Sequence, residues 1–147
     1  MPRNLVTRTV ASAFALTLFA GCAAQDVGQV GDRPREAITF AARAKYPGAA
    51  QESDRYKSVA VVDPGRKVLD VYNLSAQTIP ATALWVNGGF VRQISPIATK
   101  GHATVRYVEL LEAGPGTRSF SQLDTPVQKV EIQTNDGNYA VQGPVNR

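Results

Sequence analysis

The chain has 147 residues, of which 44% are hydrophobic, enough for one core plus extensions. Its 16 basic and 12 acidic side chains leave a net charge of +4. They are interspersed, and the absence of any basic block argues against a nucleic-acid partner. A lone cysteine rules out disulfide stapling within the chain, and a lone histidine leaves too few ligands for a zinc site.

The N-terminus reads as a targeting signal. Arg3 and Arg8 make the first eight residues basic, and residues 10–19 are an apolar run of ten. As a helix that run is about 15 Å long, half the hydrocarbon thickness of a bilayer. It is too short to span and suits the core of a signal peptide. Small residues follow in Leu18-Phe19-Ala20-Gly21-Cys22, where the only cysteine stands.

This junction resembles the lipobox of bacterial lipoprotein precursors, with Phe19 where the family usually has Leu. The resemblance implies a signal peptide over 1–21 and a diacylglyceryl group on the Cys22 thiol, with Cys22 as the new N-terminus. It further implies a membrane partner held through that lipid. Ala23, in place of Asp, points by analogy to the outer membrane, facing the periplasm, if the host is diderm. The alternative is an ordinary signal peptide with Cys22 incidental.

Without residues 1–21, 14 basic and 12 acidic side chains remain. Residues 22–56 read as a tether. Gly28, Gly31 and Pro34 punctuate its start. Residues 35–45 predict a short helix, with Asp32 as cap, Tyr46-Pro47-Gly48 as stop, and Ile38, Ala41 and Ala42 on one face. Residues 49–56 predict a loop.

From residue 57 the pattern turns to strands. Residues 59–62 are β-branched and stop at Asp63-Pro64-Gly65, and Leu69 and Val71 alternate with Asp70. Residues 83–86 end in Asn87-Gly88-Gly89, and residues 90–94 run to Ser95-Pro96. The longest run, 103–111, stops before Gly114-Pro115-Gly116. Val130, Ile132 and Thr134 alternate with polar residues, and Asn135-Asp136-Gly137 leads back into residues 139–141. Period two marks strands, and Asn-Gly and Asp-Gly favour hairpin turns. The expectation is an all-β domain over 57–143: a small antiparallel sandwich of about seven strands. The strand ending Val71-Tyr72-Asn73-Leu74-Ser75, the Trp85 strand and the closing hairpin loosely resemble immunoglobulin-like sandwiches of exported bacterial proteins. The paired cysteines of antibody domains are absent, and no functional residue carries over.

No catalytic constellation stands out. His102 follows Lys100-Gly101 without a nucleophile elbow, and reads as a surface histidine. Glu109 and Glu112, three apart on an expected strand, face opposite ways and read as solvated strand-end charges rather than a glycosidase pair. Asn135-Asp136-Gly137-Asn138 offers oxygen ligands but is explained as a hairpin turn, and no cofactor or metal is implied. Trp85, Phe90, Tyr72 and Tyr107 are a candidate binding patch, with core packing as the stronger reading for a disulfide-free domain. Three functions follow in order: a non-enzymatic interaction or scaffold module with an envelope protein partner, an extracytoplasmic ligand- or glycan-binding module, and, remotely, a hydrolase.

Overall fold

Residues 58–63 and 68–73 alternate inward and outward side chains, and in the computed structural model they form the first antiparallel pair. β1 (Ser58–Asp63) and β2 (Val68–Asn73) run in register from Ser58↔Asn73 to Asp63↔Val68. The structure describes residues 34–116 and 118–147. At the turn, Asp63 Oδ1 accepts the Arg66 N–H at 2.9 Å, and Lys67 takes φ 54°. A side-chain acceptor thus replaces a backbone one where the chain reverses.

The next pair, β3 (Ala81–Val86) and β4 (Phe90–Gln93), is joined through Asn87 and Gly88, both at positive φ (52° and 68°). Asparagine and glycine tolerate that region best, which is why they mark hairpins. The Asn87 side chain does more than turn. Its Oδ1 accepts the N–H groups of Gln128 and Lys129, and its Nδ2 donates to the Pro126 carbonyl, fixing the approach to the seventh strand.

β5 (His102–Arg106) pairs with β2. The long strand expected over 103–111 is broken after Arg106. Residues Tyr107–Glu109 form a 3-10 turn, and β6 (Leu111–Glu112) then pairs with β4 in the other sheet. At the break the Glu109 carboxylate folds back to accept the Arg106 N–H at 2.9 Å. β7 (Val130–Thr134) and β8 (Asn138–Ala140) form the expected closing hairpin. β9 (Gln142–Asn146) then crosses to lie parallel to β1. Gly143 at φ 99° permits this, since a Cβ there would lie 2.9 Å from the Ala60 carbonyl oxygen.

The result is a sandwich of two sheets, β5-β2-β1-β9 and β6-β4-β3-β7-β8. Nine strands replace the expected seven or so, because one run splits and β9 is added. All pairs are antiparallel except β1–β9. Ala60, Val62, Leu69, Val71 and Val105 of one sheet pack against Leu84, Val86, Phe90, Val130 and Ile132 of the other. Phe120 sits edge-on to both Phe90 and Tyr107, with centroids 5.2 and 5.1 Å away.

α1 (Pro34–Arg43) adds a third layer. Pro34 suits the first helical position, where its missing N–H costs nothing, and Glu36 and Arg43 complement the helix dipole at the two ends. Ala41 is buried against Ala83, Trp85 and Val91 on the outer face of the five-stranded sheet, with Phe40, Ala44 and Tyr46 packed alongside. The inward face is therefore Phe40, Ala41 and Ala44. Ile38 and Ala42, expected to face inward with Ala41, are exposed.

Candidate functional site

The four candidate aromatics do not form one patch. Trp85 lies on the outer face of the five-stranded sheet, 1% exposed beneath α1 and Tyr46. Its ring meets Tyr46 edge-on at 5.4 Å, and its Nε1 donates to Gln133 Oε1 at 2.9 Å. Phe90 and Tyr107 are in the inter-sheet core. Burial, and secondarily the negative charge of Asp63, raises the Tyr107 pKa above its ordinary value. Tyr72 alone is half-exposed, on the outer face of the four-stranded sheet, stacked on His102 at 5.2 Å and 25°. Cys22 lies outside the described residues.

The two glutamates are ion-paired, not merely solvated. Glu109 binds Arg106 through Nε and Nη2 at 3.0 and 2.8 Å and also receives Arg92 Nη1. Glu112 binds Arg118 at 2.7 Å. Asn135-Asp136-Gly137 is a turn closed by Thr134, whose N–H donates to the Gly137 carbonyl at 2.8 Å. Among the described residues, no three His, Cys, Asp or Glu side chains converge to hold a metal ion, and no helix is long and apolar enough to cross a membrane.

A polar cluster that the sequence pattern hides sits under Tyr46. Glu131 is 0% exposed. Its Oε1 accepts the Tyr46 hydroxyl and the Lys129 ammonium, both at 2.9 Å, and the ammonium also donates to the Tyr46 oxygen at 2.8 Å. These two hydrogen bonds, the Tyr46 bond foremost, raise the Lys129 pKa. Residues 44–51 thus fasten α1 across the sheet, and Gln51 completes the fastening with backbone bonds to Asn138 and Ala140 on β8.

The strand edges differ in a way that bears on binding. Sheet edges offer unpaired backbone groups to other chains unless they are blocked. Gln51 blocks β8. Arg118 and Ser119 block β6, where the Glu112 N–H reaches the Arg118 carbonyl at 2.9 Å. β9 is interrupted by a register shift against β1 and by Pro144, which has no N–H to offer. β5 has no such device along most of its length. The bonds from Asn73 N–H to Gly101 and from Tyr107 N–H to the Lys67 carbonyl show that odd-numbered residues face β2. His102, Thr104 and Arg106 therefore point their backbone groups outward. Glu109 takes the Arg106 N–H. The N–H and C=O groups of His102 and Thr104 remain without a bond among the described residues, and both side chains are exposed.

The sequence pattern does not show which edge is open, because blocking depends on contacts from distant residues such as Gln51. Comparison with protein-family models, with curated proteins and with solved structures returns no match to this chain.

Proposed function

We propose that this chain is a cell-envelope lipoprotein, tethered by lipid on Cys22, whose β-sandwich is a non-catalytic docking module. Its binding element is the open edge of β5, which accepts an extended strand of an envelope protein partner. The carrying observation is the contrast among edges. β6, β8 and β9 are each blocked or broken, while His102 and Thr104 present a bare ladder. Strand addition gains its affinity from such main-chain groups and its specificity from the flanking side chains. The basic start, the short apolar run and the lone cysteine support the tether, and Ala23 supports an outer-membrane, periplasm-facing location.

The ligand- or glycan-binding reading keeps one supporting feature, the exposed stack of Tyr72 on His102. The burial of Trp85 removes the strongest sugar-stacking candidate. A hydrolase would need His102 beside an acid and a nucleophile. Its contact is with the Tyr72 ring.

Two substitutions test the proposal. Cys22→Ala is expected to abolish palmitate incorporation and release the protein from the membrane fraction. Undiminished labelling would refute the tether. Thr104→Pro removes an outward N–H that no ladder bond to β2 uses, so the fold is expected to survive, checked by circular dichroism, while partner capture is lost. Full capture by a folded Thr104→Pro protein would refute docking at β5.

A further inference from the structure

We propose that the outward face of α1 lies on the anionic phospholipid headgroups of the membrane that holds the Cys22 lipid. This inference rests on the lipoprotein reading and adds an orientation to it.

The first argument is reach. Eleven residues, 23–33, separate Cys22 from Pro34. Even fully extended they bridge at most about 40 Å, so α1 stays within that distance of the lipid and is the element nearest to it in sequence. The second argument is charge. Residues 34–50 carry Arg35, Arg43 and Lys45 against the single acid Glu36, and all three basic side chains are exposed. An anionic leaflet attracts juxtamembrane basic residues, and guanidinium groups bind phosphate oxygens in a bidentate fork.

The third argument is shape. An open trough of about 450 Å³ runs along the helix, lined by Arg35, Glu36, Thr39, Phe40, Arg43 and Ala44. Phe40 and Ala44, only partly covered by the sheet, form its inner apolar edge, and Arg35 and Arg43 also line it. Ile38, 39% exposed, adds an aliphatic side chain elsewhere on the uncovered surface of the helix. That combination suits a phosphate head with its glyceryl and upper acyl carbons. The helix is also held at a fixed rotation, because Ala41 is buried against Trp85 and the segment after it is fastened through Tyr46 and Gln51. With α1 on the membrane, β5 lies in the opposite layer of the sandwich, its edge available to a partner in the compartment.

The test uses the native lipidated chain reconstituted in phosphatidylcholine vesicles with and without phosphatidylglycerol. An environment-sensitive thiol label is placed at Ala42→Cys on the helix, or at Thr104→Cys on β5 as control. With phosphatidylglycerol, the label at 42 is expected to report a headgroup environment and the label at 104 an aqueous one. Added salt should reverse the difference, since the attraction is screened within about 10 Å at moderate ionic strength. Each of Arg35, Arg43 and Lys45 is expected to contribute about five-fold to the surface-bound population, so the triple alanine variant should lose it about 100-fold. Equal aqueous signals at 42 and 104 on phosphatidylglycerol vesicles would overturn the proposal. Failure of the lipoprotein reading looks different, as a chain that takes no palmitate. Such a chain supports the helix surface if it still floats with phosphatidylglycerol vesicles through the three basic residues, and overturns it if it does not.

Discussion

Tyr46 donates its hydroxyl hydrogen to Glu131 at 2.9 Å, across 85 residues of sequence, and so pins the segment after α1 to a fully buried carboxylate. Lys129 closes the triangle. A buried carboxylate is tolerated only when its lost hydration is replaced. Tyr46→Phe keeps the ring against Trp85 and removes one donor, and should cost about 1–3 kcal/mol in denaturant unfolding.

Lys129 of this cluster and Tyr107 of the inter-sheet core give a pH dependence with a fixed sign. The folded state raises the Lys129 pKa, and burial raises that of Tyr107. A group whose pKa is raised by folding contributes stability that is complete below its unfolded pKa and is lost as pH rises through the folded value. The thermal midpoint should therefore fall as pH rises above about 10. Tyr107→Phe should flatten that fall. An identical slope in the variant would show that Tyr107 is not responsible.

Asn73, 1% exposed, ends β2 and holds three segments together. Its Nδ2 donates to the carbonyls of Gln77 and Ile97 at 2.8 and 2.9 Å, and its Oδ1 accepts the Ser75 N–H at 2.8 Å. Asn73→Ala strands buried backbone groups. It should cost about 3 kcal/mol and lower the thermal midpoint by about 10 °C, measured by calorimetry.

Trp85→Ala opens a cavity under α1 and should destabilise by about 3–5 kcal/mol, with faster proteolysis of residues 34–50. Trp85→Phe keeps most of the packing and loses the bond to Gln133, a cost of about 1 kcal/mol. Protection of residues 34–50 that is unchanged in Trp85→Ala would contradict the packing of α1 on this sheet.

The hairpins were legible because their turns have a chemical requirement. Asn87-Gly88 needs positive φ, and Val130, Ile132 and Thr134 alternate before Asn135-Asp136-Gly137. The third layer was not legible. Glu131 alternates with apolar neighbours and reads as a solvent-facing residue, until α1 and Tyr46 cover that face. The run Ala83-Leu84-Trp85-Val86 lacks alternation for the same reason, since both faces of β3 are covered. The break after Arg106 falls inside a continuous run of strand-forming residues, so the pattern does not mark it, and β9 contains Gly143-Pro144, a pair that commonly marks a turn. Of the site, the aromatic residues were identified as candidates, but their separation onto two faces and the core required the register.

The central claim is docking at the β5 edge. Its most direct measurement places a photo-crosslinking amino acid at His102 in living cells of the native host, with Asp54 as an exposed control site. The account predicts one dominant protein adduct from position 102, none from position 54, and its loss when Thr104→Pro is added. An adduct at 102 that persists in the folded Thr104→Pro protein, or none at 102 at all, would contradict it.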